Sequence, residues 1–283
     1  MTISDWLSVT RGDAPLVVSL PHTGTQFPPG FESRLVSPWR GRKDADWYLD
    51  RLYDFAADLG ATVVRTTISR TVIDVNRDPS GVSLYPGQAT TALCPVDTFD
   101  GEALYVPGGE PSADEITARR TRYFEPYHAA LASELMRLRA HHAHVVLYDG
   151  HSIRSLIPRL FEGLLPQWNI GTHDGRSCAT ALTRKVESRC DSSGQPRVTN
   201  GRFKGGYITR HYGRPADGVH ALQMELACRG YMREPEGAAT PENWPSPYVE
   251  AEAARLRATL HAILESAVAF AAEASLGPAK GVL

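Results

Sequence analysis

The sequence predicts an α/β fold: one domain over residues 1–283, with a mixed central sheet flanked by helices on both sides. Three observations point there. Short β-branched apolar runs alternate with segments whose apolar residues recur every three to four positions. A chain of 283 residues can bury one large core. No internal repeat interrupts it, and the one turn-rich linker, Asp191–Arg197, is too short to mark a domain boundary.

The elements follow in order. Pro15–Leu20 (PLVVSL) is too short for a core helix and rich in β-branched residues, so it is read as a buried strand. Between Asp44 and Leu59, the spacing of Ala45, Leu49, Leu52, Phe55, Ala56 and Leu59 predicts an amphipathic helix stopped by Gly60. Ala61–Val64 begins a second strand. Residues 79–111, rich in Gly, Pro and Thr, form a long loop with room for a short hairpin; that length suggests that it shapes or covers a site. Ala113–Ala143 reads as helix, kinked or split at Pro126.

His144–Tyr148 (HVVLY) is a third buried strand, leading into Asp149-Gly150-His151-Ser152. Ala179–Cys190 is helical, while Tyr207–Tyr212 and Val219–Ala227 are read as the last strands. A final helix starts at Pro247 and keeps its stripe through Val249, Ala253, Leu256, Leu260, Leu264 and Val268.

Composition narrows the function. Thirty basic against 32 acidic side chains give a net charge of -2, which argues against nucleic acid as the main ligand. No apolar run approaches the roughly 20 residues needed to cross a bilayer, so no membrane partner is expected. The N-terminus lacks the pattern of a secretory signal, and four scattered cysteines suggest neither a disulfide scaffold nor a zinc knuckle. A reducing, cytoplasmic setting fits. The ten histidines are more informative, because imidazole serves as metal ligand or base near neutral pH.

Ligands of open α/β sheets sit at the carboxyl ends of strands. His22 falls at one such end and His151 at another, with Gly24 and Gly150 available for tight turns. The two histidines with a carboxylate would suit a divalent cation, zinc in particular. Asp46 is one source of that carboxylate, with Asp44 and Asp50 in competition; Asp149 could ligate or orient a histidine. Asn76-Arg77 offers an amide and a rigid cationic fork for a carboxylate or developing oxyanion. If Val219–Ala227 is a strand, Gln223 and Glu225 share a face, and a glutamate beside an activated water can act as general base. Residues Phe203 to Arg214, with Arg210, His211, Tyr212 and Arg214, look like the lining of an anion site. His211 and His220 are candidate neighbours of the centre and His173 a weaker site-lining candidate; most of the other histidines have ordinary explanations.

Together PLVVSLPHTG, DADWYLDRLYDF, DVNRDP, YDGHSIRS, GTHDGRSC and FKGGYITRHYGRPADGVHALQMELA resemble the N-formylglutamate amidohydrolase family. The motifs come in family order from Pro15 to about Tyr231. The resemblance implies a zinc-exopeptidase-like α/β fold, distantly related to the zinc carboxypeptidases. It also implies metal-dependent hydrolysis of N-formyl-L-glutamate to formate and L-glutamate, within histidine degradation. His22 and His151 match the histidine ligands of the wider group, Asn76-Arg77 its substrate-binding pair and Glu225 its general base; Arg77 is also expected to be catalytic, stabilising the tetrahedral oxyanion together with the ion. Where the carboxypeptidase-like pattern has a Glu three residues after the first histidine, this chain has Thr25. The third ligand must therefore come from elsewhere, and Asp46 is the choice. A small dianionic N-formyl amino acid needs counter-charges, for which Arg77, Arg154, Arg210 and Arg214 are candidates, with Asn76 and Tyr212 assisting. The alternatives are a deacylase for another N-acyl amino acid and a non-catalytic anion-binding protein. Oligomeric state is left open.

Overall fold

The computed structural model describes residues 5–82, 87 and 90–275. Seven strands form one mixed sheet: β1 (Leu7–Thr10), β2 (Leu16–Leu20), β3 (Thr62–Thr66), β4 (Val145–Ile153), β5 (Trp168–Gly171), β6 (Arg197–Thr199) and β7 (Val219–Ala227). Their order is β1-β3-β2-β4-β7-β5-β6. The central four, β3, β2, β4 and β7, are parallel, so their carboxyl ends share one rim of the sheet.

Helices cover both faces. On one lie α2 (Leu49–Leu52), α5 (Thr180–Ser192) and the 26-residue α7 (Glu250–Ser275). Their Leu52, Leu182, Leu260 and Leu264 pack with Leu16, Val18, Tyr148 and Met224 of the sheet. On the other lie α3 (Ala113–Arg119), α4 (Glu125–Arg139) and α6 (Tyr207–Tyr212), where Tyr127, Leu131 and Ile208 meet Val17, Val145, Leu147 and Ala221. The short α1 (Pro38–Arg42) is capped by the Ser37 hydroxyl, which accepts the Arg40 N–H. Each fully buried Leu or Val contributes roughly 1.5–3 kcal/mol, so the sheet interior holds the molecule together.

Period-2 alternation explains how the second face becomes a site. Val145 and Leu147 continue as Asp149 and His151 along β4; Ala221 continues as Gln223 and Glu225 along β7. One face is thus apolar at the amino end and polar at the carboxyl end.

Several local expectations change. The helix expected over Asp44–Leu59 shrinks to α2 and one 3₁₀ turn, Asp54–Ala57. Tyr48 adopts a left-handed conformation (φ 58°), and Asp46, two residues before it, is held by two tethers. Its N–H donates to the His22 carbonyl (2.9 Å), and its carboxylate accepts the Ser152 N–H (3.2 Å). The segment is divided as expected near Pro126, with α3 before it and α4 carrying the proline in its first turn. The chain widens into a π turn, Arg120–Phe124, just before the proline, which has no N–H to offer the preceding turn; helix then continues only to Arg139.

Tyr207–Tyr212, expected as a strand, is helix α6. Its β-prone residues are overridden by a cap from far away: Asn76 accepts the Ile208 N–H through Oδ1 (2.8 Å) and the Tyr207 N–H through its carbonyl (3.2 Å). The final helix begins at Glu250, three residues after Pro247. β4 runs on through Asp149-Gly150-His151-Ser152, so this segment is strand and not a following turn. Gly150 serves packing instead: a Cβ there would lie 2.9 Å from Leu20 Cδ2. At Gly24 a Cβ would meet the Ile68 carbonyl oxygen at 2.2 Å, so close backbone approach explains that glycine too. Of the 79–111 loop, residues 83–86 and 88–89 lie outside the described residues; farther along, Asp97 and Ala103 pair as a minimal hairpin.

Candidate active site

The rim formed by β2, β3, β4 and β7 gathers three donors. His22 follows β2, Asp46 precedes α2, and His151 lies in β4; all three are buried. His151 Nδ1 lies 3.1 Å from His22 Nδ1 and 3.3 Å from Asp46 Oδ2, and His22 Nδ1 lies 3.9 Å from that oxygen. Tetrahedral zinc with bonds of about 2.0–2.1 Å sets its ligand atoms roughly 3.3 Å apart, so the triangle has the size of a metal site. Asp46 Oδ1 is buried with no hydrogen-bond partner, a costly arrangement that a cation would relieve. The two competing carboxylates are engaged elsewhere: Asp44 accepts the Phe99 N–H (2.7 Å), and Asp50 pairs with Arg65.

The outward nitrogens explain why both rings present Nδ1. His22 Nε2 meets Asp74 Oδ1 at 2.7 Å, and His151 Nε2 meets Asp149 Oδ2 at 3.0 Å. A carboxylate on the far nitrogen fixes the proton there and leaves the inner lone pair for a cation. Asp149 is itself held by the Ser19 hydroxyl and the Asn76 amide, each donating at 3.0 Å. Asp149 thus orients a histidine.

Charge is balanced by burial and neighbours. Burial and the Arg70 guanidinium lower the pKa of His22 despite Asp74. Burial also opposes a charge on His151, but Asp149 and Asp46 outweigh it and raise its pKa. Burial would raise Asp74 as well; His22, Arg70 and Arg77 more than offset it and hold it well below the usual carboxylate range. One imidazole is therefore suited to carry a proton where the other offers a lone pair, the electrostatic arrangement a metal cation would replace.

Glu225 stands beside this centre. In the parallel pairing of β4 with β7, His151 is opposite Glu225 and Asp149 opposite Gln223. Gln223 accepts the Gly206 N–H through Oε1 (2.7 Å) and donates through Nε2 to Glu225 Oε2 (3.1 Å), which orients the carboxylate. Burial pushes the Glu225 pKa up to about 7, with His151 pulling it down and Asp46 up. A carboxylate near that value can take and return a proton at neutral pH.

His22, His151, Glu225, Gln223, Asn76 and Arg77 all line one cavity of about 650 Å³, counting its solvent-open mouth. Asn76 donates to Asp149 (3.0 Å), with its amide nitrogen 2.9 Å from His151 Nε2, while Gly206 packs so closely that a Cβ there would lie 2.6 Å from the Asn76 amide. Arg77 donates through Nε to the Thr91 carbonyl (3.1 Å).

The other expected arginines lie elsewhere. Arg154 pairs with Asp100 (2.6 Å) and Asp44 (3.6 Å), outside the cavity lining. Arg210 donates from α6 to the Gly205 carbonyl. Tyr212 and Arg214 border a separate hollow beside Met136 and Arg139. His211 shares that hollow, and His220 sits at the start of β7, 3.0 Å from His144 and remote from the rim.

The cavity instead recruits Arg70, Arg159 and Arg202, none of which sequence reasoning singled out. Arg70 is buried; its Nη1 lies 3.2 Å from His22 Nδ1 and its Nη2 donates to Asp74 (2.6 Å). No spacing marks it, since its role depends on the path after β3. Thr90, Thr91 and Phe99, from the loop read as site-shaping, also line the cavity.

Comparisons with known proteins identify the chain's family. The chain is 44% identical over 268 residues to the N-formylglutamate deformylase of Pseudomonas aeruginosa, spanning 94% of this chain and 97% of the relative. It is 44% identical over 272 residues to that of Pseudomonas putida, with the same coverage of both chains. The crystal structure of N-formylglutamate amidohydrolase from Ralstonia eutropha JMP134 superposes with a TM-score of 0.77 at 25% identity, covering 95% of this chain and 99% of that one. A family model for N-formylglutamate amidohydrolase matches residues 14–232, which include every residue of the metal and Glu225 cluster, and the chain belongs to that family.

Proposed function

We propose that this chain hydrolyses N-formyl-L-glutamate to formate and L-glutamate, as a step of histidine degradation, with a divalent ion held by His22, Asp46 and His151. Zinc suits two imidazole nitrogens and one carboxylate oxygen at this spacing. The observation that carries the reading is the buried donor triangle bordered by Glu225, in a chain so similar to named deformylases along its length. When bound, the ion supplies Lewis-acid polarisation and acidifies water.

The chain's own groups do the rest. Glu225 takes a proton from the attacking water and returns it to the departing amine nitrogen of glutamate. Arg70, its guanidinium beside the inward nitrogen of His22, donates to the oxyanion that develops on the formyl oxygen. Arg77, with Asn76 next to it, receives the α-carboxylate, and the 79–111 segment shapes the wall through Thr91 and Phe99.

The test is formate release from N-formyl-L-glutamate, N-formyl-L-aspartate and N-acetyl-L-glutamate, before and after chelation and zinc restoration. The first substrate is expected to dominate, with activity lost on chelation and regained with zinc. Full turnover after verified metal removal would exclude the mechanism. Glu225→Gln is expected to lose at least ~10²-fold in kcat while keeping its metal; full turnover in that variant would remove Glu225 from the proton transfer.

A further inference from the structure

Four groups that the deformylase reading employs come from one short segment after β3. Arg70 faces His22, Asp74 orients that ring, and Asn76 and Arg77 line the cavity. Residues 70–77 form neither helix nor strand, so no ladder of their own fixes the backbone. The aim of these side chains is therefore set by whatever holds the segment's carbonyls from outside.

The helical stretch from α3 to α4 supplies two of those holds. Arg119, the last residue of α3, is only 6% exposed, a rare state for an arginine. Its Nη1 donates to the Val72 carbonyl (2.9 Å) and to the Tyr105 hydroxyl (3.1 Å). That hydroxyl in turn reaches the Thr71 carbonyl (3.5 Å). Nε and Nη2 of Arg119 donate to Glu115, and the Phe31 ring centre lies 4.8 Å from the guanidinium. Farther along, His128 Nε2 of α4 meets the Val75 carbonyl at 2.8 Å. Arg119 thus grips the segment between Arg70 and Asp74, and His128 grips it between Asp74 and Asn76.

Helix geometry explains how both side chains reach the same segment. In a regular α-helix, residues nine positions apart point roughly 180° away from one another. The π turn Arg120–Phe124 takes up one residue more than an α turn, which cuts the offset to about 80°. The wide turn before Pro126 therefore has a phasing role.

We infer, on the strength of the deformylase reading, that Arg119 is a positioning residue for the reaction. It lies outside the cavity lining and acts through the Val72 and Thr71 carbonyls, which set the aim of Arg70 and Asp74. The π turn keeps it in phase with His128.

The experiment measures kcat and KM for N-formyl-L-glutamate in the zinc-loaded wild type, Arg119→Met, Glu115→Gln, Arg70→Lys and Arg70→Lys/Arg119→Met. Urea unfolding and metal content show that each is folded and loaded. Arg119→Met is expected to lose ~10–100-fold in kcat, since misplacing a reacting group by about 1 Å costs that much. KM should stay within ~3-fold, because Arg77 lies beyond the His128 hold. Glu115→Gln weakens the ion pair but leaves Arg119 its carbonyl, so stability should fall while kcat stays within ~2-fold. Because Arg119 acts through Arg70, its effect on kcat should shrink to under ~3-fold in the Arg70→Lys background. Wild-type kcat in Arg119→Met overturns the proposal, as does a loss of equal size in both backgrounds or one matched by Glu115→Gln. Where Arg119→Met does not fold, Arg119→Lys carries the same comparison with an expected loss of ~3–10-fold. No loss there, or an equal loss in both backgrounds, overturns it likewise. A wild type inactive on N-formyl-L-glutamate overturns the parent reading instead. The positioning is then read as zinc retention against a chelator series, where Arg119→Met should hold zinc ~10-fold less well through Asp74; equal retention overturns it.

Discussion

At the scale of single residues, the site depends on which nitrogen each histidine turns inward. His22 and His151 both present Nδ1, and in both the reason is a carboxylate on Nε2. Asp74 bears the greater load, because it also holds Arg70 and lies within 3.6 Å of Arg77. Asp74→Asn should therefore weaken metal retention by ~10–100-fold, read as metal content against a chelator series. Retention equal to wild type would show that the ring is oriented without that carboxylate. Position alone suggested His22, His151, Gln223 and Glu225 from the sequence, since strand ends and period-2 alternation are local properties. Asp46 was one of three neighbouring acids until the fold separated them: Asp44 turned to the Phe99 N–H, Asp50 to Arg65.

At the scale of elements, α6 joins its neighbours through Asn76 at its amino end and through an aromatic cluster at its other end. His128 of α4 stacks on Tyr212, with ring centres 5.8 Å apart. In the neutral ring Nε2 donates to the Val75 carbonyl (2.8 Å), and the Tyr212 hydroxyl lies within reach of both Nδ1 (2.9 Å) and the His128 carbonyl (3.0 Å), sharing its one proton between them. Burial lowers the His128 pKa from 6.5 to about 4. The unfolded chain therefore binds this proton more readily than the folded one. Its contribution to stability is complete above pH 6.5 and is lost as pH falls toward about 4. The full effect is about 3 kcal/mol. Urea unfolding between pH 7 and pH 4 should show this slope, flattened in His128→Gln; an equal slope in the variant would assign the loss to other groups. The Tyr-Ile-Thr run of α6 looks like a strand because propensity is blind to a cap supplied by a residue more than 130 positions away.

At the scale of the whole molecule, four parallel strands deliver the loops that carry the chemistry to one rim, and the ion would tie those loops together. His22 belongs to the segment after β2, Asp46 to the one before α2, and His151 to β4. Anything bound only by the folded chain stabilises it by mass action. Chelation should thus lower the melting temperature by on the order of 5 °C, with recovery on adding zinc. A melting temperature indifferent to both would argue that the triangle holds no ion. The net charge of -2 coexists with an arginine-lined cavity because local field, not total charge, meets a small dianion.

The sequence by itself determined the α/β class and the central strands, and it marked the two rim histidines and, given a strand over Val219–Ala227, the shared face of Gln223 and Glu225. These follow from periodicity and from the order of strands and loops, which are written along the chain. Only the tertiary structure decided which acid joins the histidines, that Tyr207–Tyr212 is helix, and that Arg70, Arg159 and Arg202 line the cavity while Arg154, Arg210 and Arg214 do not. An arginine side chain is long, and its partner is chosen by loop paths and by carboxylates distant in sequence: Asp100 takes Arg154, and Asp74 takes Arg70. Those pairings exist only once the sheet has brought the loops to one rim.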